Sequence, residues 1–180
     1  MSTPMRGRPW KRMLLATALL AAALPAMADN AILRLRQFLD AHGRQDGLPK
    51  GAEAVAIAPH LSAALNAAIE SARAEQAAFV RDNPGEKPPY IEGKLFTSVL
   101  FEPFTAYAPV MPAGGCPAPR CVIRVDFVDA ASSPDVAWHD EYVLVLEDDR
   151  WRIDDVHFRG GFDFGNHGSL RASLPAPVAR

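Results

Sequence analysis

A chain of 180 residues that is 49% hydrophobic and carries a formal charge of −2 has the apolar material for one cored domain, without metals or multiple disulfides to hold it. It lacks the positive charge that nucleic acid or an anionic lipid surface demands of a partner. It has no Gly-rich phosphate loop, no H-E-x-x-H, no G-x-S-x-G and no internal repeat.

Residues 1–28 read as a secretory signal peptide. Arg6, Arg8, Lys11 and Arg12 make a basic start, Met13–Leu24 is a short apolar run, and Ala26-Met27-Ala28 is an A-x-A cleavage site. Cleavage is expected between Ala28 and Asp29, leaving a periplasmic or secreted protein. The apolar run is too short to span a bilayer and no Cys follows it, so no stable membrane anchor is expected after cleavage. A retained N-terminal anchor is the alternative. Removing residues 1–28 from 180 leaves 152, and the four lost positive charges take the formal charge from −2 to about −6. The acids concentrate between Asp126 and Asp163, where they form either a solvated face or a surface for a cationic partner.

The mature chain opens on helical periodicity. Asp29 or Asn30 is placed to cap a first helix, with Ile32, Leu35, Phe38, Leu39 and His42 on one face and Gly43 at its end. His42 reads as a helix-end residue in preference to a ligand. Gly43–Gly51 is a polar connection and Ala52–Ile57 a short turn. Pro59 suits the first turn of a longer helix whose stripe is Leu61, Leu65, Ile69, Ala72, Phe79 and Val80. Asp82-Asn83-Pro84-Gly85 stops it.

Strand patterns follow. Lys94–Phe101 alternates and is expected to begin the sheet; Glu102-Pro103 interrupts it and Phe104–Tyr107 resumes it. Pro109–Arg120 is a Pro- and Gly-rich loop. Cys116 and Cys121, spaced C-x4-C, fit one disulfide in an oxidising compartment. A redox-active pair would more usually be C-x-x-C, and zinc would need two more ligands such as His139 or His157. No metal or cofactor is expected. Cys121–Asp129 is a strand with Ile123, Val125 and Phe127 on one face.

Val136–Phe158 carries most of the candidate chemistry as a hairpin. If Asp148-Asp149 is a two-residue loop, Leu146 faces Trp151, Leu144 faces Ile153, Tyr142 faces Asp155 and Asp140 faces His157. One face then holds Trp151 and Ile153 at its apolar end and Tyr142, Asp155, His157 and Asp140 at its polar end. A carboxylate partly buried beside Trp151 would rise toward the range of a general base, and Tyr142 could donate to an oxyanion. Ion pairs of Asp154 and Asp155 with Arg150, Arg152 and Arg159 would explain the same acids without catalysis. After Arg159-Gly160-Gly161, the residues Phe162, Phe164, Leu170 and Leu174 are expected to fold back over the sheet.

The segment Tyr142–Phe158, with its Asp-Asp-Arg-Trp-Arg-Ile-Asp-Asp core, resembles the last two strands of the bacterial exported "domain of unknown function 3828" family. The resemblance extends back through Asn83-Pro84 and Gly93-Lys94-Leu95-Phe96-Thr97-Ser98. That family resembles the nuclear transport factor 2-like, or cystatin-like, superfamily, in which a curved antiparallel sheet wraps helices into a cone. The resemblance implies a single α+β domain over residues 29–180, with about four to five strands packed on N-terminal helices. Because that superfamily hosts both enzymes and non-catalytic binders, it leaves function open. Two readings follow. One is a non-catalytic module that binds a small ligand or an envelope protein, with Tyr142, Trp151, Asp155 and His157 as ligand contacts. The other is a small pocket enzyme with Asp155, His157, Tyr142 and Asp140 as acid-base groups on a hydrophobic substrate.

Overall fold

The first helix forms because its apolar residues recur every three to four positions. In the computed structural model, which describes residues 31–42 and 46–176, residues 31–41 are helical (α1), and Ala31, Leu35, Phe38 and Leu39 are buried. The expected signal peptide, the Asp29 or Asn30 cap, Gly43 and the last four residues lie outside the described residues. Residues Gly51–Ile57 form a true helix (α2) where a turn is expected, and Ala58–His60 continue it as a 3-10 turn with Pro59 in its first positions.

The long helix therefore starts later than Pro59. It runs Ala63–Asp82 (α3), with fully buried Ser62 as its N-cap accepting from Leu65 N at 2.9 Å. The Glu147 carboxylate also accepts from Ala63 N at 3.0 Å, an anion at the positive end of the helix. Leu65, Ala68, Ile69 and Ala72 are buried, whereas Val80 is half exposed, so the last turns project past the core. A short C-terminal helix, Leu170–Ser173 (α4), is capped by Ser169.

The sheet has four antiparallel strands in sequential order: Ala106–Val110 (β1), Arg120–Asp129 (β2), Val136–Glu147 (β3) and Arg150–Phe158 (β4). The fold is α+β, helices on a curved antiparallel sheet. Residues 94–101 are not a strand, contrary to their alternation, and β1 extends into the expected loop to include Pro109 and Val110. Pro109 is tolerated because β1 is an edge. The outer edge of β4 is covered at two points: Ser62 N donates to Ile153 O at 2.8 Å and Phe158 N to Gly168 O at 3.0 Å. Cys116 and Cys121 are buried at disulfide distance, their Cα atoms 4.9 Å apart, and join the start of β2 to the loop before it.

The β3–β4 turn is the two-residue loop its sequence suggests. Asp148 (φ 48) and Asp149 (φ 59) both adopt positive φ, as a type I′ turn requires. Leu146 pairs with Trp151 and Leu144 with Ile153 as expected. The register then shifts. Asp154 is an extra residue between Ile153 and Asp155, so Val143 pairs with Asp155, Tyr142 with Val156, Glu141 with His157 and Asp140 with Phe158. Uninterrupted alternation would have sent Asp155 and His157 into the core and Val156 and Phe158 out of it. The bulge reverses both pairs, and Asp154 is held there by Ser62 Oγ at 2.7 Å and the Arg171 guanidinium at 3.0 Å.

A left-handed conformation costs a non-glycine residue about 1–2 kcal/mol. Asp149→Gly should leave stability unchanged or raise it by up to about 1 kcal/mol, while Asp149→Val should lower it by about 1–2 kcal/mol. Urea unfolding midpoints check both; equal midpoints for the two variants would show that the turn does not adopt this conformation.

Candidate functional site

The bulge divides the residues that the hairpin pattern groups together. Tyr142 and Asp140 face the core, next to Val156 and Phe158, and Trp151 lies on that same side. Asp155 and His157 face the other way, beside Val143 and Glu141. Tyr142 is 1% exposed and its hydroxyl donates to Phe96 O at 2.7 Å; burial, with the Asp140 charge nearby, pushes the phenol well above its usual range. Its proton is committed to a main-chain carbonyl inside a packed core.

Asp140 is fully buried and saturated. Oδ2 accepts from Thr97 Oγ1 and Ser98 N, each at 2.9 Å; Oδ1 accepts from Ser98 Oγ and from Arg159 N at 3.0 Å. Around it, Trp138 Nε1 donates to Thr97 Oγ1 at 2.9 Å and Gly160 N to Ser98 Oγ at 2.8 Å. Asn166 donates its side-chain amide to Lys94 O and Thr97 O, both at 2.7 Å, and its main-chain N–H to Ser98 O at 2.8 Å. These bonds satisfy the polar groups of a buried loop that has no ladder to join, which is why residues 94–98 can be interior without being a strand. An acid at an inward position between Trp138 and Tyr142 was the visible signal; Thr97 and Ser98 as its donors were not, because their alternation mimics a strand.

On the opposite face of the sheet the remaining candidates form an ion-pair chain. Arg159 Nη2 lies 2.9 Å from Glu141, whose carboxylate is 3.5 Å from His157 Nδ1; His157 Nε2 is 3.8 Å from Asp155. The Arg159 hydrogen bond holds the Glu141 carboxyl below its ordinary range, helped by His157 and opposed by partial burial. Asp155 Oδ1 also accepts from Val156 N at 2.8 Å and Arg171 N at 2.9 Å, tying α4 to the bulge. Arg152 donates to Pro59 O at 2.9 Å. Of the two acids expected to pair with Arg150, Arg152 and Arg159, Asp154 pairs with Arg171 and Asp155 with His157, while Arg159 pairs with Glu141 and Arg152 with Glu147 at 3.6 Å. Among the described residues no group of three or more His, Cys, Asp and Glu side chains is arranged to hold a metal ion.

The loops fixed by Asp140 frame a cleft that sequence reasoning did not single out. Residues 99–102 follow Ser98 and residues 162–165 precede Asn166; together they line a cleft of about 260 Å³. Its walls are Val99, Leu100, Phe101 and Phe162, with Phe164 outermost; Phe101 is 59% exposed and Phe164 87%. Phe162 packs edge-on against Trp138 at 6.1 Å. The two loops are in close contact: a Cβ on Gly165 would lie 2.6 Å from Ser98 O, so only glycine lets them approach. A second cleft, of about 280 Å³, lies between α2 and α3, but its polar groups are occupied. There Asn66 donates to Ala58 O and Leu61 O, and Arg73 to Pro49 O and Glu70.

Two further polar contacts went unforeseen. His42 is buried between Phe38 and Phe96 and lies 3.1 Å from the buried Glu53 carboxylate, joining α1 to α2. The Tyr107 hydroxyl donates to Asp40, and burial with that carboxylate pushes the phenol up to about 12.

No protein-family model matches the chain, and no curated protein is significantly similar to it.

Two outcomes test this geometry. Asp140→Ala would strand four donors in the interior and should lower stability by roughly 3–5 kcal/mol, with loss of near-ultraviolet dichroism from Trp138 before global unfolding. An unchanged urea midpoint would show that Asp140 is not the anchor. All three tyrosines, Tyr90, Tyr107 and Tyr142, lie above the ordinary phenol value. The sign follows: the folded state favours the protonated phenol, so this stability is full below pH ~10 and, for Tyr107, is lost as pH rises from ~10 through about 12. Absorbance at the tyrosinate band should show little ionisation of the native protein near pH 10 and nearly half-ionisation in denaturant; a native titration centred at pH 10 would contradict the burial of Tyr142.

Proposed function

We propose that this protein is an exported, non-catalytic binding module that receives an apolar side chain of a partner protein in the cleft between residues 99–102 and 162–165. One observation carries the reading: the cleft presents Phe101 and Phe164 to solvent on loops that are hydrogen-bonded from behind by Asp140 and Asn166. Exposed aromatics on a rigid support are what a recognition surface needs, because little ordering entropy remains to oppose binding. The acid-base groups, by contrast, are divided by the bulge: Tyr142 and Asp140 lie in the packed core, while Asp155 and His157, 3.8 Å apart, lie in a half-buried ion-pair chain that lines neither of the two clefts described above.

Export is the part of the reading that rests on sequence, on residues 1–28 with their basic start and A-x-A site. The Cys116–Cys121 pair fits an oxidising compartment. The resemblance to the domain of unknown function 3828 and to nuclear transport factor 2-like proteins is compatible with helices on a curved antiparallel sheet, and we carry it as a proposal of kinship.

The full chain should be expressed with its own N-terminal segment and recovered from the periplasmic fraction, where N-terminal sequencing should begin at Asp29. A neutral peptide, acetyl-Gln-Leu-Gln-Phe-Gln-amide, titrated into the isotope-labelled protein should shift amide resonances of residues 99–102 and 162–165. Phe164→Ser should weaken that binding about threefold or more. Shifts absent from both loops would overturn the cleft, and recovery only from the cytoplasm would overturn export.

A further inference from the structure

The cleft is not electrically neutral. Its apolar walls end in two carboxylates, Glu102 on one loop and Asp163 on the other, both exposed, and no basic residue lines it. Neither has an ion-pair partner among the described residues. Glu102 makes one weak local contact, to Phe101 N at 3.4 Å. The basic residues that precede the two loops in sequence are engaged elsewhere: Lys94 with Asp46 at 2.7 Å, and Arg159 with Glu141 on the far face.

Size narrows the occupant. A volume of about 260 Å³ falls below the roughly 300–1,000 Å³ of a drug-sized ligand pocket, and suits one large apolar side chain. A cation beside that side chain would meet both carboxylates and the faces of Phe101 and Phe164. From this charge complementarity, and resting on the cleft reading above, we infer that the occupant is a basic–apolar segment of a partner protein, with Leu or Phe flanked by Lys or Arg. The apolar residue fills the cleft between the loops, and the flanking cations pair with Glu102 and Asp163 at the rim. An acidic mature chain adds a favourable long-range field for such a partner.

The test compares three fluorescent peptides of equal length by anisotropy, using the protein recovered from expression of the full chain: Lys-Leu-Lys-Phe-Lys, Gln-Leu-Gln-Phe-Gln and Glu-Leu-Glu-Phe-Glu. At low salt the lysine peptide should bind about three- to tenfold more tightly than the glutamine peptide, and the glutamate peptide most weakly. That preference should fade at about 0.5 M salt. Glu102→Gln with Asp163→Asn should abolish it, and both positions are exposed enough to substitute without unfolding. Equal binding of the lysine and glutamine peptides, or a preference that survives the double substitution, overturns the inference and leaves the cleft reading intact. Failure of the glutamine peptide as well overturns the cleft itself. Tighter binding of dodecyltrimethylammonium than of the lysine peptide would assign the cleft to a small amphiphile. Self-association abolished by Phe164→Ser would assign it to a second copy of this chain. Either result overturns the peptide assignment.

Discussion

One buried carboxylate organises this molecule. Asp140 sits where an apolar side chain would pack, on the inner face of the third strand, and a lone ion there would be very costly to desolvate. Four donors offset that cost, and none of them belongs to the sheet. Three come from Thr97 and Ser98 and one from the main chain of Arg159. A single residue of β3 therefore binds both the segment entering the sheet and the segment leaving it. Without the carboxylate, those buried loop groups would have no partners; without the loops, the carboxylate could not be interior. Each makes the other possible, so the arrangement should form and melt as one unit.

The same unit explains why a cleft lies where it does. Ser98 and Asn166 end two loops that meet back to back, in contact close enough to need Gly165. Beyond that contact the two loops part around the cleft; Val99 remains buried in the core, while the outer side chains are left uncovered. Phe162 still reaches Trp138, but Phe101 and Phe164 do not find cover. The interior polar network and the exposed aromatic rim are thus two consequences of one loop pairing, the first stabilising and the second available for recognition.

Where sequence and structure agree, the deciding signal is local; where they part, it is not. The 3.6-residue recurrence of Leu35, Phe38, Leu39 and His42 specified a buried helix face, and charged Glu147–Arg150 specified a two-residue turn. The bulge at Asp154 was not legible, because what holds it is Ser62, distant in sequence, and Arg171 after the sheet has ended. Yet the composition of β4 contains the hint. Asp155 and His157 alternate with Val156 and Phe158, and only one of those pairs belongs in a core. Leu-Phe-Thr-Ser-Val reads as a strand by alternation and is a loop in space, since Thr97 and Ser98 contribute donors to Asp140 and not cross-strand contacts. The cleft itself has no sequence motif: its two walls are some sixty residues apart and are brought together by the contacts of Gly160, Gly165 and Asn166 with Ser98.

This geometry also bears on the choice between catalysis and binding. A general acid or base must reach a substrate proton and change its ionisation as it does so. Asp140 is out of reach of a substrate, held by four donors in a packed interior, and Tyr142 has its hydroxyl committed to Phe96 O. His157 is partly accessible, but it stands between Glu141 and Asp155 on a face that the segment leading into α4 partly covers. What the molecule does present is apolar surface held at fixed positions. Phe101 and Phe164 gain no burial in the free protein, and their loops continue from Ser98 and lead into Asn166, which are tied into the buried hydrogen-bond network. Rigid support under uncovered aromatics is the arrangement expected when the missing contacts are supplied by another chain.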